Sequence, residues 1–233
     1  MKNKIRIFLL AAAIFFNLAS VSGQDKAVTQ TKETQLKLTP QDALNMLKSG
    51  NERFVSGKEL DRNLMEQVKK TSKGQYPFAV VLTCLDSRTS AELIFDQGIG
   101  DIFCARVAGN VVNDDILGSM EYACKVVGAK LILVLGHTDC GAVKSACDKV
   151  ELGNITTLLK KIEPAVNQAQ TEGERDSHNK KFVQDVADLN VKLSIEQIKE
   201  KSPILNNMIN NGEIMVAGAM YNVETGKVEF FKQ

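Results

Sequence analysis

The chain has 233 residues, 44% of them hydrophobic, with 29 basic and 28 acidic side chains and a formal net charge of +1. Such a balance gives no basic face for a nucleic-acid partner and no strongly charged surface, while the length suits one domain with a sizeable core. The five cysteines, an odd count in a chain this long, exclude a fully paired disulfide framework.

Residues 1–23 open with Lys2, Lys4 and Arg6, run apolar from Ile7 to Ala19 apart from Asn17, and end in small residues at Gly23. These are the three regions of a secretory signal peptide. The apolar run falls short of the roughly 20 residues that span a bilayer. The expectation is cleavage near Gly23–Gln24 and an exported chain that leaves the membrane. Its destination would be the bacterial periplasm or, alternatively, the cell exterior. A retained N-terminal anchor is the other reading. Residues 24–38 are polar without an apolar period and read as a flexible leader. Residues 39–233 read as a single domain.

Thr39 and Pro40 open a helix with an apolar period near 3.6, and a second helix is predicted over Arg62 to Lys70. "PFAVVLTC" (77–84) is a short β-branched apolar run, the mark of a buried strand. A short helix at "SAELIFDQ" leads to a second strand at 101–109. Residues 113–128 read as one helix ending at Gly128, and 129–137 as a third buried strand. Cys140 to Lys149 returns as helix. Residues 154–211 read as largely helical, with a polar break that contains His178. Strands at 213–223 and 228–231, joined by "ETGK", form a hairpin. The alternation predicts an α/β fold: a mainly parallel central sheet with an antiparallel edge hairpin, flanked by helices. In such sheets chemistry gathers beyond the carboxyl ends of the strands.

Two motifs sit at that end. "CLDSR" closes the first strand with Cys84, Asp86 and Arg88. "HTDC" closes the third with His137 and Cys140. Thiolate and imidazole suit tetrahedral zinc, and a neighbouring strand can bring Cys84 to His137 and Cys140. A lone histidine or cysteine at a strand end is more often a loop or core residue. Together the two halves favour a metal site. A fourth position is left for water, or for Asp86 in a closed state. Arg88 could hold Asp86 away from the metal. Cys104, Cys124 and Cys147 read as buried small residues, and His178 as an exposed loop residue.

With these motifs the sequence resembles the β-class carbonic anhydrases, whose zinc motifs are Cys-x-Asp-x-Arg and His-x-x-Cys. The likeness continues through "KGQYP" (73–77), "GIGDIFCARVAGNVV" (98–112), "LGSMEYA" (117–123), "SPIL" (202–205) and "VAGAMYNVETGKV" (216–228), covering nearly all of 40–233. It implies the β-carbonic anhydrase fold, zinc on Cys84, His137 and Cys140, and an Asp86–Arg88 gate and orienting dyad. For the pocket it implies Gln75 as the bicarbonate-binding glutamine and Gly141 as backbone beside the metal. Phe103 and Tyr122 match the aromatics that a partner subunit supplies, hence a homodimer or higher homo-oligomer. That combination looks like the plant-type branch. The branch with a non-catalytic bicarbonate site carries tryptophan where Val81 stands, and this chain has none. Val107 stands where many relatives carry asparagine.

The implied activity is zinc-dependent reversible hydration of carbon dioxide to bicarbonate and a proton, through zinc-bound hydroxide. Asp86 would orient the hydroxide, and Gln75 would donate to the substrate oxygen. One alternative is a hydrolase of carbonyl sulfide or carbon disulfide on the same scaffold. Another is a non-catalytic structural zinc-binding module, against which Asp86, Arg88 and Gln75 argue.

Overall fold

The computed structural model describes residues 26–232, and the expected signal peptide lies outside them. Helix α1 (Lys32–Lys37) is capped by Thr31. It falls in the segment expected to be a leader without structure. Its Gln35 is buried and donates to the Pro77 carbonyl at 2.7 Å, and Ala27 N–H donates to Asp61 O at 3.0 Å. These partners lie 34 and 42 residues away, beyond the reach of local pattern.

Helix α2 (Pro40–Ser56) starts on a Thr39–Asp42 capping box and stops at Gly57 in the left-handed conformation. Helix α3 (Leu64–Thr71) follows, capped by Asn63. Strand β1 (Ala79–Thr83) leads through α4 (Ala91–Ile94) to β2 (Ile102–Arg106). Helix α5 (Asp114–Glu121) is capped by Asn113. The single helix expected over 113–128 instead widens into a π turn at Tyr122–Val126. Its mark is the Val127 N–H donating to Tyr122 O at 3.0 Å, one residue beyond α-helical reach. Strand β3 (Leu131–His137) comes next. Helices α6 (Gly141–Cys147), α7 (Gly153–Leu159), α8 (Glu163–Gln168), α9 (Lys180–Lys201) and α10 (Pro203–Asn210) precede β4 (Met215–Tyr221) and β5 (Val228–Phe230).

The strands form one sheet in the order β2-β1-β3-β4-β5. All pairings are parallel except β4 with β5, the antiparallel edge. Every residue of β1 and β3 is buried, which is why both read as unbroken apolar runs. Side chains alternate between two cores. Val80, Leu82, Ile132 and Val134 pack with α5, α6 and α9. Ala79, Val81, Leu131, Leu133 and Leu135 pack with α2 and α4 on the other face. Each buried leucine or valine contributes about 1.5–3 kcal/mol, so β1 and β3 anchor both cores. No helix of the described residues is long and apolar enough to cross a membrane.

Gly136, just before "HTDC", serves no turn: it lies inside β3. A Cβ there would come within 2.6 Å of Val191 Cγ2 and 2.9 Å of Met220 Cε. The glycine lets α9 lie directly on the strand.

Candidate metal centre

Strands β1 and β3 are neighbours, with Thr83 in register with Leu135. Cys84 therefore leaves β1 level with the end of β3, where His137 is the last residue. The backbone turns at Thr138 and Asp139, and Cys140 stands immediately before α6. Cys84, His137 and Cys140 are all buried, and their ligand atoms lie within 4.8 Å of one another.

The two thiols are 3.9 Å apart. Two thiolates at about 2.3 Å from one tetrahedral zinc would sit roughly 3.8 Å apart. His137 Nδ1 is 2.9 Å from the Thr138 carbonyl, which leaves Nε2 as the atom facing the thiols. Nε2 is buried and has no hydrogen-bond partner. A buried polar atom without a partner costs about 1–3 kcal/mol, so the imidazole is arranged for something besides protein. The donor set fits zinc: two soft sulfurs and an imidazole whose second nitrogen is fixed by backbone.

Cys84 is held as the more acidic thiol, down to about 4. Its causes are the hydrogen bond from Cys140, then, against desolvation, His137 and the backbone N–H groups of Asp86 and Gly109. Sharing that contact, and buried, Cys140 is pushed upward. The Gly109 N–H reaches Cys84 Sγ at 3.2 Å.

Asp86 and Arg88 pair beside the cluster. The Arg88 backbone N–H and Nε each donate to Asp86 Oδ1 at 2.9 Å, and Nη2 donates to Oδ2 at 2.8 Å. This bidentate grip holds the Asp86 carboxyl well below the usual carboxylate range. Asp86 Oδ2 is 3.9 Å from His137 Nε2, so the carboxylate stands at the rim of the cluster while committed to arginine.

Three groups that sequence reasoning did not single out shape this loop. Arg106, the last residue of β2, donates to the carbonyls of Cys84, Leu85 and Asp86. Thr89 Oγ1 donates to the Cys84 and Asp86 carbonyls at 3.0 and 2.9 Å. Gly109 has φ +68°, and a Cβ there would meet Ile162 Cδ1 at 2.6 Å. The glycine in "RVAGN" was the available signal; the backbone bonds of Arg106 and Thr89 leave none. Helix α9 supports the Gly109 turn, with Asn190 Nδ2 donating to Gly109 O at 2.8 Å and Ser194 Oγ to Asn110 O at 3.4 Å. Val107 packs against the core, and its N–H donates to Thr83 O at 3.2 Å.

The expected pocket residues divide. Gly141 is exposed next to Cys140 with open space at its Cα. Gln75 is exposed and precedes β1, whereas Cys84 follows it. The five residues of β1, which stand between them in the chain, span roughly 16 Å at about 3.3 Å each. Phe103 is in register with Val80, four residues before Cys84. Its ring lies 6.5 Å from that of Tyr122, and both line a surface cavity of about 600 Å³. Within one chain, Gln75 and Phe103 lie toward the amino end of β1, away from the cluster at its carboxyl end, and Tyr122 stands beside Phe103.

Of the remaining cysteines, burial pushes Cys124 up to about 12 and Cys147 to about 11. Cys104, expected to be buried, is half-buried and borders the Phe103–Tyr122 cavity. His178 is exposed, as expected.

A sequence model described as carbonic anhydrase matches residues 79–228. Carbonic anhydrase 2 of Mycobacterium tuberculosis is 34% identical over 194 residues, 81% of this chain and 91% of that protein. A carbonic anhydrase of Mycolicibacterium smegmatis is 35% identical over 196 residues, 82% and 92% of the two chains. Among solved structures, the β-carbonic anhydrase CafA of Aspergillus fumigatus aligns with TM-score 0.63 at 28% identity, covering 72% of this chain and 81% of its own. The β-carbonic anhydrase CcaA aligns with TM-score 0.63 at 26% identity, covering 82% and 94%. Two tetrameric β-carbonic anhydrases from Sordaria macrospora share the fold, with TM-score 0.61 at 24% identity and coverage of 71% and 85%.

Proposed function

The chain belongs to the carbonic anhydrase family, in its β class, and we propose that Cys84, His137 and Cys140 hold the zinc ion with which it hydrates carbon dioxide to bicarbonate and a proton. The observation that carries this assignment is the orphaned His137 Nε2 facing two thiols at zinc-ligand spacing.

When bound, zinc acts as a Lewis acid that lowers the pKa of a water from about 15.7 toward 7. The other roles fall to the chain. Arg88 keeps Asp86 ionised and fixed by two parallel hydrogen bonds. So held, Asp86 accepts a hydrogen bond from the attacking oxygen and turns its lone pair toward the substrate carbon. Arg106 and Thr89 fix the carbonyls of the loop that carries both Cys84 and Asp86. The open backbone at Gly141 leaves room for a small substrate beside Cys140.

Replacing one ligand tests the assignment. Cys140→Ser should lose zinc, measured by elemental analysis, together with hydration, measured by stopped flow. Turnover that survives without zinc would refute it.

The rest of the pocket comes, in this reading, from a second copy of the chain. The position of Gln75, Phe103 and Tyr122 away from their own cluster supports this, as does the half-exposed Tyr122 ring. A homodimer is the smallest assembly that completes the site, with Gln75 donating to the substrate oxygen and the aromatics walling off water. The aromatic pair, with valine at position 81, favours the plant-type branch. The basic and apolar pattern of residues 2–23 supports export through a signal peptide, to a bacterial periplasm.

A further inference from the structure

A second carboxylate faces the guanidinium that grips Asp86. Arg88 uses Nε and Nη2 on Asp86, and Nη1 is left over. That nitrogen lies 3.9 Å from Asp139 Oδ2. Asp139 stands between the ligands His137 and Cys140, in left-handed backbone at φ +59°, a conformation aspartate tolerates better than most residues. Its other oxygen accepts a hydrogen bond from Lys144 Nζ, in α6. The lysine tethers the carboxylate at the rim of the site with one oxygen still turned to Arg88. At 3.9 Å the Arg88–Asp139 contact is an ion pair without a hydrogen bond, and its side chains are 46% and 54% exposed. Solvent screens it, so it adds little to the arrangement in which Arg88 grips Asp86.

Resting on the zinc assignment above, we propose that Asp139 is a positioning residue that receives Arg88 when Asp86 turns from it toward the metal. The turn is short, since Asp86 Oδ2 is already 3.9 Å from His137 Nε2. It breaks the hydrogen bonds from Arg88 and leaves a guanidinium in need of an acceptor. Asp139 offers that acceptor, and Lys144 keeps it in place. A contact that is weak in one arrangement and hydrogen-bonded in the other shifts the balance between them. Asp139 thus stabilises the released form selectively. Asp139→Asn keeps the side-chain shape and an acceptor for Lys144 while removing the charge.

Cobalt replacing zinc provides the readout, because its visible absorption distinguishes a carboxylate ligand from water in the fourth position. Crystal structures of the zinc-loaded protein locate Arg88 in the same variants. The expected wild type has a carboxylate-ligated fraction with Arg88 hydrogen-bonded to Asp139. In Asp139→Asn that fraction falls several-fold at equal metal content, and Asp139→Glu restores part of it. The proposal is overturned by an unchanged fraction in Asp139→Asn, by Arg88 turned to solvent in the ligated form, or by a wild type with no ligated fraction. Failure of the wild type to bind zinc or hydrate carbon dioxide would instead overturn the functional assignment. An active, zinc-loaded wild type whose spectrum Asp139→Asn reproduces would overturn the role of Asp139 alone.

Discussion

On the proposed assignment, Arg88 is the residue whose loss should separate metal binding from turnover. It touches none of the three ligand atoms, yet it fixes both oxygens of Asp86. Arg88→Ala should therefore retain zinc by elemental analysis and lose hydration by a factor on the order of 100, the scale of a misplaced reacting group. Turnover near the wild-type rate would remove the dyad from the mechanism. The same pair predicts a pH dependence of stability. Arg88 lowers the Asp86 pKa below its ordinary value. A carboxylate with a depressed folded pKa contributes its stability in full above the unfolded value of about 3.9, and loses it as pH falls from there. Asp86→Asn should accordingly be less stable than wild type to denaturant at pH 7, with a gap that narrows toward pH 2. A gap constant with pH would show that the pair does not stabilise the fold.

At the level of elements, the junction of β3 with α9 sets how closely helix and sheet approach. Gly136→Ala would press a methyl group on Val191 and Met220. Overpacking of this kind costs about 1–3 kcal/mol, and a loss of unfolding free energy smaller than that in denaturant titration would show that α9 can move outward freely. This junction also shows where sequence stops being informative. The central strands were legible because burial on both faces demands an unbroken apolar run. Cys84 and His137 were legible because parallel strands end together. Gly136 was legible only as a glycine: its reason, Val191, lies 55 residues on. The π turn at Tyr122–Val126 was hidden because one widened turn scarcely alters helical periodicity. Arg106 and Thr89 were hidden because they act on backbone carbonyls, which every residue carries. The leader helix was hidden because its anchor, Gln35 to the Pro77 carbonyl, is a single long-range bond.

For the whole molecule, the proposal that a second copy completes the pocket predicts that activity depends on association. Diluting the zinc-loaded protein through its dissociation range should lower specific activity in step with the loss of dimer seen by sedimentation, with zinc retained. Constant specific activity in the monomer would show that one chain suffices. The fold also assigns a burden to a helix that holds no ligand. Along α9, Asn190 and Ser194 interrupt a buried apolar stripe at the level of the site, and Val191 meets Gly136 between them. One face of this helix thus bears on the Gly109 turn, whose N–H holds a ligand sulfur, and on the strand that ends in a ligand histidine. Changes along α9 that touch no ligand, such as Asn190→Leu, can detune the metal centre while both zinc motifs stay intact. A comparison of natural variants by motif alone would score such a chain as fully equipped.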